Sequence, residues 1–337
     1  MPAGYIVMRP VHYDLGYDGG NAAMMAGTRG EPMEIAWLED FLAVAGSGSF
    51  SRAAEERHIT QPALSRRIRA LEDWAGTPLF FRTTHKVELT PAGDSFRQTA
   101  EDVLRRLAVG RSVAREQASG TMEQLQFAAT NALALTFFPG WLRTVEHRLR
   151  FVANIQLVAN HMVACERLML QGQAQFLLAH HHPAADTLLT PRQFLSHPVG
   201  VDVLIPVSAP TGEGGSPSFA LPGTEEQPLP YLSYRPESGM GRIIAAVREG
   251  APDRAFLRSC FQSHVAKLLV TMAVEGRGLA FLPKSLIGEE LAQGTLVRAG
   301  DTTWDITIEI QLFRPRTRLS STAEAFWAAV AGDLNRR

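Results

Sequence analysis

The chain has 337 residues, 45% of them hydrophobic and 20% charged, enough for two or more domains with ordinary globular cores. A formal net charge of -1 leaves no global excess of cation, so any affinity for nucleic acid must come from a local patch. Two cysteines, Cys165 and Cys260, are too few for a disulfide scaffold, and the most apolar runs, such as NALALTFFPGWL (131–142), are shorter than the roughly 18 residues of a membrane span; a cytoplasmic protein with no membrane partner is expected.

Residues 1–32 show neither helical nor strand periodicity and lack the cationic start and apolar run of a signal peptide. They read as a disordered extension, or as a misassigned start with Met33 as the real beginning. From Met33 onward Leu38, Phe41, Leu42 and Ala45 recur at the spacing of one buried helix face. GSGSF breaks that helix, and Ser51 is the expected cap of a second short helix, RAAEERH. A third helix lies in TQPALSRRIRALE (60–72): Thr60 is a good N-cap, and Pro62 falls in the first turn, where its missing N–H costs nothing. Leu64, Ile68, Leu71 and Ala75 gather on one face of it, while Gln61, Ser65, Arg66 and Arg69 spread over another.

Two short helices and a third divided in this way form a helix-turn-helix pattern, whose third helix would lie in the major groove of double-stranded DNA. Gln can pair bidentately with adenine and Arg with guanine, which suits Gln61, Arg66 and Arg69 to base reading. Between Arg57 and Lys86 there are six basic and two acidic residues, a local charge of +4 in a nearly neutral chain. A lone SRRIR would more often be a solvated cationic face, but the next segment of chain reverses that reading. GTPLFFRTTHKVELTPAG (76–93) has the turns and short β-prone runs of a two-stranded wing, with Arg82, His85 and Lys86 near its tip to hold the phosphate backbone. Ser49, Ser51, Pro62 and Ser65 complete the candidate DNA-facing set.

The run FLAVAGSGSFSRAAEERHITQPALSRRIRALE (41–72), the G-x-x-LF-x-R at Gly76, Leu79, Phe80 and Arg82, and LTPAG (89–93) together resemble the LysR-type transcriptional regulators. Departures lie at His58-Ile59, where a leucine is commoner, and at THK, where the wing usually carries arginine; both bear on DNA affinity more than on fold. The resemblance implies an N-terminal winged helix-turn-helix, all-α apart from its wing (33–90), and a long linker helix (91–119). It further implies a C-terminal α/β, two-lobed, periplasmic-binding-protein-like effector domain (123–337). Lobe I would comprise about 123–198 and 300–337, and lobe II about 199–299. Within the family, WLEDFL, SRRIRALE and YLSYRPESGMGRII are similar to the hypochlorite-responsive branch.

Phe96, Ala100, Val103, Leu107 and Ala114 make a heptad seam on the linker helix, with Gly110 as its weak point. Such a stripe needs a partner, which is either its own chain or a second copy. The resemblance favours a homodimer through this helix, a homotetramer through the C-terminal domains, and RNA polymerase as a further partner.

After SGTMEQ (119–124), strand-like and helix-like segments alternate: QLQFAAT, FFPGWLRTVEHRL, ANIQLVAN, HMVACERLMLQG and QAQFLLAHHH. That order argues for βαβ units and a parallel sheet with helices on both faces. VGVDVLIPVSAP opens a second set that runs through YLSYRPESGMGRIIAAVREG and SHVAKLLVTMAVEGRGLAFLPKSLI, before the chain returns in WDITIEIQLFRP and the closing helix TAEAFWAAVAGDL. EGRGLAFLP is similar to a G-x-G-(I/L)-x-x-LP element of the family.

In doubly wound domains, ligands settle beyond the C-terminal ends of strands, which marks Thr130, Asn131, His180 and RPESGMGR (235–242) as the effector site. Within that last stretch Ser238 is the expected cap of a helix, and Arg235 and Arg242 are expected to add positive charge, so a small anionic effector is predicted; Met240 and His264 join the candidate set. The alternative for RPESGMGR is a plain capped loop with surface arginines. His180 to His182 cannot all converge on one metal ion, because neighbours on a strand point to opposite faces, so neither metal nor cofactor is expected. Cys165 and Cys260 sit in helical-looking, half-apolar segments and are read as buried; Met240, between two glycines, is read as a gap-filling methionine, with exposure and oxidation as the alternative. A redox-sensing regulator on the same scaffold is therefore an alternative, and a two-lobed solute-binding or catalytic protein with a vestigial DNA-binding module is another. The chain holds no G-x-S-x-G, no P-loop and no H-E-x-x-H, so an enzyme is unsupported.

Overall fold

The computed structural model describes residues 33–82, 87–119, 124–149, 154–212, 215–250 and 254–332. The extension expected over 1–32, and His85 and Lys86 of the wing, lie outside the described residues. The chain divides into two compact units at Asp94/Ser95.

The first unit contains α1 (Ile35–Ser47), α2 (Phe50–Glu56), α3 (Gln61–Ala75), β1 (Phe80–Arg82) and β2 (Val87–Leu89). Leu38, Phe41 and Val44 of α1 meet the fully buried Leu64, Ile68 and Leu71 of α3 in one core, with Ala53 and Ala54 of α2 small enough to be buried beside them. The second helix starts earlier than RAAEERH suggests. Its cap is Ser49, whose hydroxyl accepts from Arg52 N–H, and not Ser51. Phe50 is already helical, and its ring lies 6.1 Å from Phe80, so aromatic packing fixes the start. His58, in the turn before α3, holds the left-handed conformation at φ 53°. Thr60 caps α3 as expected, accepting from Ala63 N–H.

The wing is an antiparallel pair, Phe80↔Leu89 to Arg82↔Val87. Glu72 at the end of α3 holds it in place by accepting from Leu79 N–H (2.9 Å) and Phe80 N–H (3.2 Å). LTPAG then starts α4 (Pro91–Ser119): Thr90 donates to Pro78 O and accepts from Gly93 N–H, both at 2.9 Å. A Cβ on Gly93 would lie 2.1 Å from the Leu79 carbonyl oxygen, so the motif needs glycine for close approach.

The second unit begins within α4 and continues through β3 (Gln124–Thr130), α5 (Asn131–Thr136), α6 (Phe138–Leu149), β4 (Asn154–Asn160), α7 (Met162–Leu170), β5 (Phe176–His181) and β6 (Phe194–Ser208). After these come β7 (Leu229–Tyr234), α8 (Gly239–Glu249), β8 (Leu257–Ser263), α9 (Ala266–Val274), β9 (Ala280–Pro283), α10 (Gly288–Ala292), β10 (Val297–Arg298), β11 (Ile306–Pro315) and α11 (Ser321–Ala331). β5, β3 and β4 are parallel neighbours, as the alternating segments predict. The sheet as a whole is mixed and not parallel: its order is β10-β6-β11-β5-β3-β4, with β9 also on β6, and β11 runs antiparallel to both β5 and β6. β7 and β8 make a separate parallel pair. One core gathers Phe127, Phe176, Leu312 and Phe326; another gathers Leu204, Leu232, Ile243, Leu269 and Phe281. These are the centres of two lobes.

β8 escapes sequence reading because LRSCFQS alternates poorly; it is exposed over Arg258, Ser259 and Cys260. Cys260 is therefore on an exposed strand, not in a buried helix as expected. Cys165 is buried in α7, its thiol donates to Ala129 O, and burial pushes its pKa up to about 12.

On α4, Ala100 is buried, Phe96 and Val103 are half-buried, and Leu107 and Ala114 are exposed. Sequence periodicity missed Arg105, which is 1% exposed with its guanidinium 5.0 Å above the Phe194 ring and 2.8 Å from Asp102. Replacing Gly93 with alanine should lower the stability of the first unit by about 1–3 kcal/mol, because the obstacle is backbone oxygen and cannot rotate away. Chemical denaturation of the purified chain measures this, and a change smaller than about 0.5 kcal/mol, the range of an ordinary surface substitution, contradicts it.

Candidate DNA interface and effector cavity

On α3, Gln61, Pro62, Arg66 and Arg69 are exposed and Ser65 is half-buried, which leaves one polar face open opposite the apolar one. Ser51 is exposed and Ser49 half-buried at the start of α2. The three arginines of α3 do not share one role. Arg67 donates to Asp40 at 3.1 Å, and Arg57 donates to the other oxygen of the same carboxylate at 2.8 Å. Asp40 has no exposed surface. A buried carboxylate bridging α1, α3 and the end of α2 fixes how α3 is rolled about its axis, and hence that Arg66 and Arg69 point outward. Asp40 was legible only as an acid inside the apolar run WLEDFL.

In the second unit, the strand ends expected to bind an effector converge on a cavity of about 30 Å³. Thr130 ends β3, Asn131 opens α5, His180 lies on β5, Ser238 precedes α8, and Met240 and His264 complete the predicted lining. Sequence reasoning missed Asn160, His161, Met162 and Tyr234, although Asn160-His161 is the same strand-to-helix junction that singled out Thr130-Asn131. His161 caps α7 by accepting from Ala164 N–H. Ser238 is the N-cap residue of α8, yet among the described residues its side chain makes no capping bond.

Charge is arranged differently from expectation. Arg235 does not line the cavity: it is exposed and paired with Glu237 at 3.3 Å, just past the turn after Tyr234. Arg242 donates with both terminal nitrogens to Glu166, at 3.1 and 3.0 Å, and so supplies no free charge. Glu166 is fully buried and also accepts from Thr187 O–H (2.8 Å) and Leu188 N–H (2.9 Å). Met240 is 6% exposed, so it packs into the cavity wall instead of lying open to solvent.

Among the described residues, Thr130 Oγ1, both ring nitrogens of His180 and the Tyr234 hydroxyl are buried without a hydrogen-bond partner. The Asp202 carboxylate is 3.5 Å from His180 Nε2, too long for a well-made bond. Burial lowers the His180 pKa and Asp202 opposes it; burial also holds Tyr234 well above its usual range, so imidazole and phenol are both neutral. Burial likewise lowers His161, assisted by His264, whose ring is 5.3 Å away. Unsatisfied groups of this kind are costly unless something occupies the space between them. Among the described residues no group of His, Cys, Asp or Glu converges on a metal position, and no helix is long and apolar enough to cross a membrane.

Two family models match: the bacterial regulatory helix-turn-helix protein of the lysR family over residues 35–94, and the LysR substrate binding domain over 118–335. The chain belongs to the LysR family. It is a DNA-binding transcriptional regulator with an effector-binding domain, and its relatives are transcriptional regulators. One, the HTH-type transcriptional regulator YjiE of Escherichia coli (strain K12), is 31% identical over 300 residues, 88% of this chain and 93% of that protein. The full-length structure of HypT from Salmonella typhimurium, described as a hypochlorite-specific LysR-type regulator, is 29% identical, with a TM-score of 0.53 over 91% of this chain and all of that one (100%). Vibrio fischeri DarR, solved in complex with DNA, is also 29% identical, with a TM-score of 0.50 over 89% of this chain and 99% of that one.

In this regulator Arg242 joins α8 to α7 beside the cavity. Arg242→Ala strands a buried carboxylate and should cost about 3–5 kcal/mol, more than Arg235→Ala, whose pair is exposed. Thermal denaturation of the two variants checks the difference; equal midpoints would contradict it.

Proposed function

We propose that the regulator binds operator DNA through α3 and the wing and is gated by a small anion in the cavity between β3, β4, β5 and α8. The unpartnered, buried Thr130, His180 and Tyr234 carry the second half of this reading: all present donors, two helix N-termini flank them, and among the described residues no carboxylate lines the space. About 30 Å³ admits two or three water-sized occupants, at roughly 10–15 Å³ each, which suits a halide or an anion of two or three heavy atoms. The regulatory domain of HypT has been solved with bromide bound; that structure is 25% identical, with a TM-score of 0.50 over 63% of this chain and 95% of that one.

Gln61, Arg66 and Arg69 read bases, helped by Ser65, while Ser49, Ser51, Pro62, Arg82 and Lys86 position the backbone. The linker helix makes a homodimer through Val103, Leu107 and Ala114, with Phe96 and Ala100 nearer the core; tetramers form through the second unit, and RNA polymerase is the downstream partner in the cytoplasm. The exposed Leu107 supports the seam. Anion binding closes the lobes and changes how a dimer presents its recognition helices.

Met240 favours a second reading. Transfer of one oxygen from a small oxidant to its thioether would place a sulfoxide dipole in the cavity wall in place of a bound ion. Mass spectrometry of oxidant-treated protein, scored for one added oxygen at Met240 alongside operator binding, separates the two.

Gln61→Ala and Arg66→Ala should each weaken operator binding by about 1–3 kcal/mol and relax preference at one base pair, whereas Arg82→Ala should weaken all sequences alike and flatten the salt dependence. Binding to a panel of operator variants decides the assignment; unchanged preference in both α3 variants defeats it. Thr130→Val and Ser238→Ala should raise the half-maximal concentration of bromide or formate about tenfold, since a bond to a charged partner contributes roughly 1.5–3 kcal/mol. Responses like the parent's in both would place the ligand elsewhere.

A further inference from the structure

We infer that the cavity takes up one proton with each anion and that His180 accepts it, so that the regulator reads a small weak acid as its two ions. This rests on the proposal that the cavity binds a small anion.

The cavity offers hydrogen bonds but almost no formal charge. Thr130, Ser238, Tyr234, Asn131 and Asn160 are neutral, and Arg235 and Arg242 are held by Glu237 and Glu166. The formal charge next to the cavity is negative: Asp202 on β6, fixed by Val203 N–H (2.8 Å), Ser285 N–H (3.2 Å) and Ser285 O–H (2.5 Å). Burial raises the Asp202 pKa, but the nearby His180 side chain, with the bonds from Ser285 and Val203, outweighs it and holds the carboxyl below its usual range. An anion entering here faces that carboxylate across His180 in a desolvated space, where like charges repel far more strongly than in water.

His180 is placed to remove the repulsion. Its Nε2 lies 3.5 Å from Asp202 Oδ2, its Nδ1 has no partner among the described residues, and its side chain is 3% exposed. Protonation gives both nitrogens an N–H, one for the carboxylate and one for the occupant, and leaves the buried trio of Asp202, His180 and anion with a single negative charge. The other titratable groups are less well suited. His161 already uses Nδ1 to cap α7 and faces His264, Glu237 and Arg167; Tyr234 and Cys165 are neutral and have protons only to give. On His180's own strand, His181 faces Glu309 of β11 at 3.8 Å.

Burial keeps His180 neutral without an anion, and a bound anion raises its pKa. Between those two pKa values affinity must therefore rise as pH falls, approaching tenfold per pH unit for one proton. Calorimetric titration of the full chain with sodium bromide or sodium formate, from about pH 5.5 to 8 at constant ionic strength, tests this across the range in which histidine titrates when each pH is run in two buffers of different ionisation enthalpy. Tighter binding at low pH, with a buffer-dependent heat equivalent to uptake of nearly one proton, supports the inference without any variant. His180→Asn should flatten the dependence, and His147→Gln, at an exposed histidine of α6 away from the cavity, should leave it. A pH-independent affinity with equal heats in both buffers overturns proton linkage while sparing the anion reading. Linkage that persists in His180→Asn overturns the assignment to His180. No binding of either anion at any pH removes the anion reading, and this inference with it.

Discussion

The antiparallel pairing of β6 with β11 is the constraint on which the second unit depends. The pair runs from Ile306↔Leu204 to Pro315↔Phe194, so one end buries Leu204 and Ile306 in one lobe and the other buries Leu312 in the second. Because β5 lies on the other edge of β11, His180 opposite Ile310 and Asp202 opposite Ile308 reach toward each other across one strand. Register thus sets the chemistry of the cavity. A shift of one residue in β5 or β6 would turn His180 or Asp202 to the other face of the sheet.

Buried charges act as locating pins throughout. Asp40 holds Arg57 and Arg67 around α3; Glu166 holds Arg242 between α7 and α8; Arg314, 4% exposed, is held bidentately by Glu324 and ties β11 to α11. Desolvating such a pair costs nearly as much as the pairing returns, so its main effect is to exclude other arrangements. In the first unit the excluded alternative is a recognition helix rolled away from its exposed face. In the second it is a different setting of α8, whose first residues wall the cavity.

The cavity departs from this completeness, as do single side chains elsewhere such as Arg105 and Gln311. Elsewhere buried carboxylates such as Asp40 and Glu166 have their bonds, but Thr130, His180 and Tyr234 meet around a space without making theirs. A folded protein tolerates that cost where a ligand completes the set, and the partners left open favour one that is compact, accepting and negatively charged.

Local patterns in the sequence determined the helix-turn-helix, its helix-start signals at Thr60 and Pro62, the wing, the continuous linker helix and the βαβ order of the second unit, because each depends on periodicity and capping within a few turns of chain. The strand-end rule also located Thr130, Asn131, His180 and Ser238, since βα junctions are readable before their partners are known. Tertiary structure alone decided which arginines are free. Arg67, Arg235 and Arg242 look like available cations in the sequence, yet each is paired with an acid, and for Arg67 and Arg242 that acid is distant in sequence and buried. It also decided that β11 runs antiparallel, that Cys260 is exposed on β8, and that Asn160, His161 and Tyr234 join the cavity. Those outcomes depend on contacts between segments far apart along the chain, and no local pattern of side chains encodes which distant partner a charge or a strand edge will find.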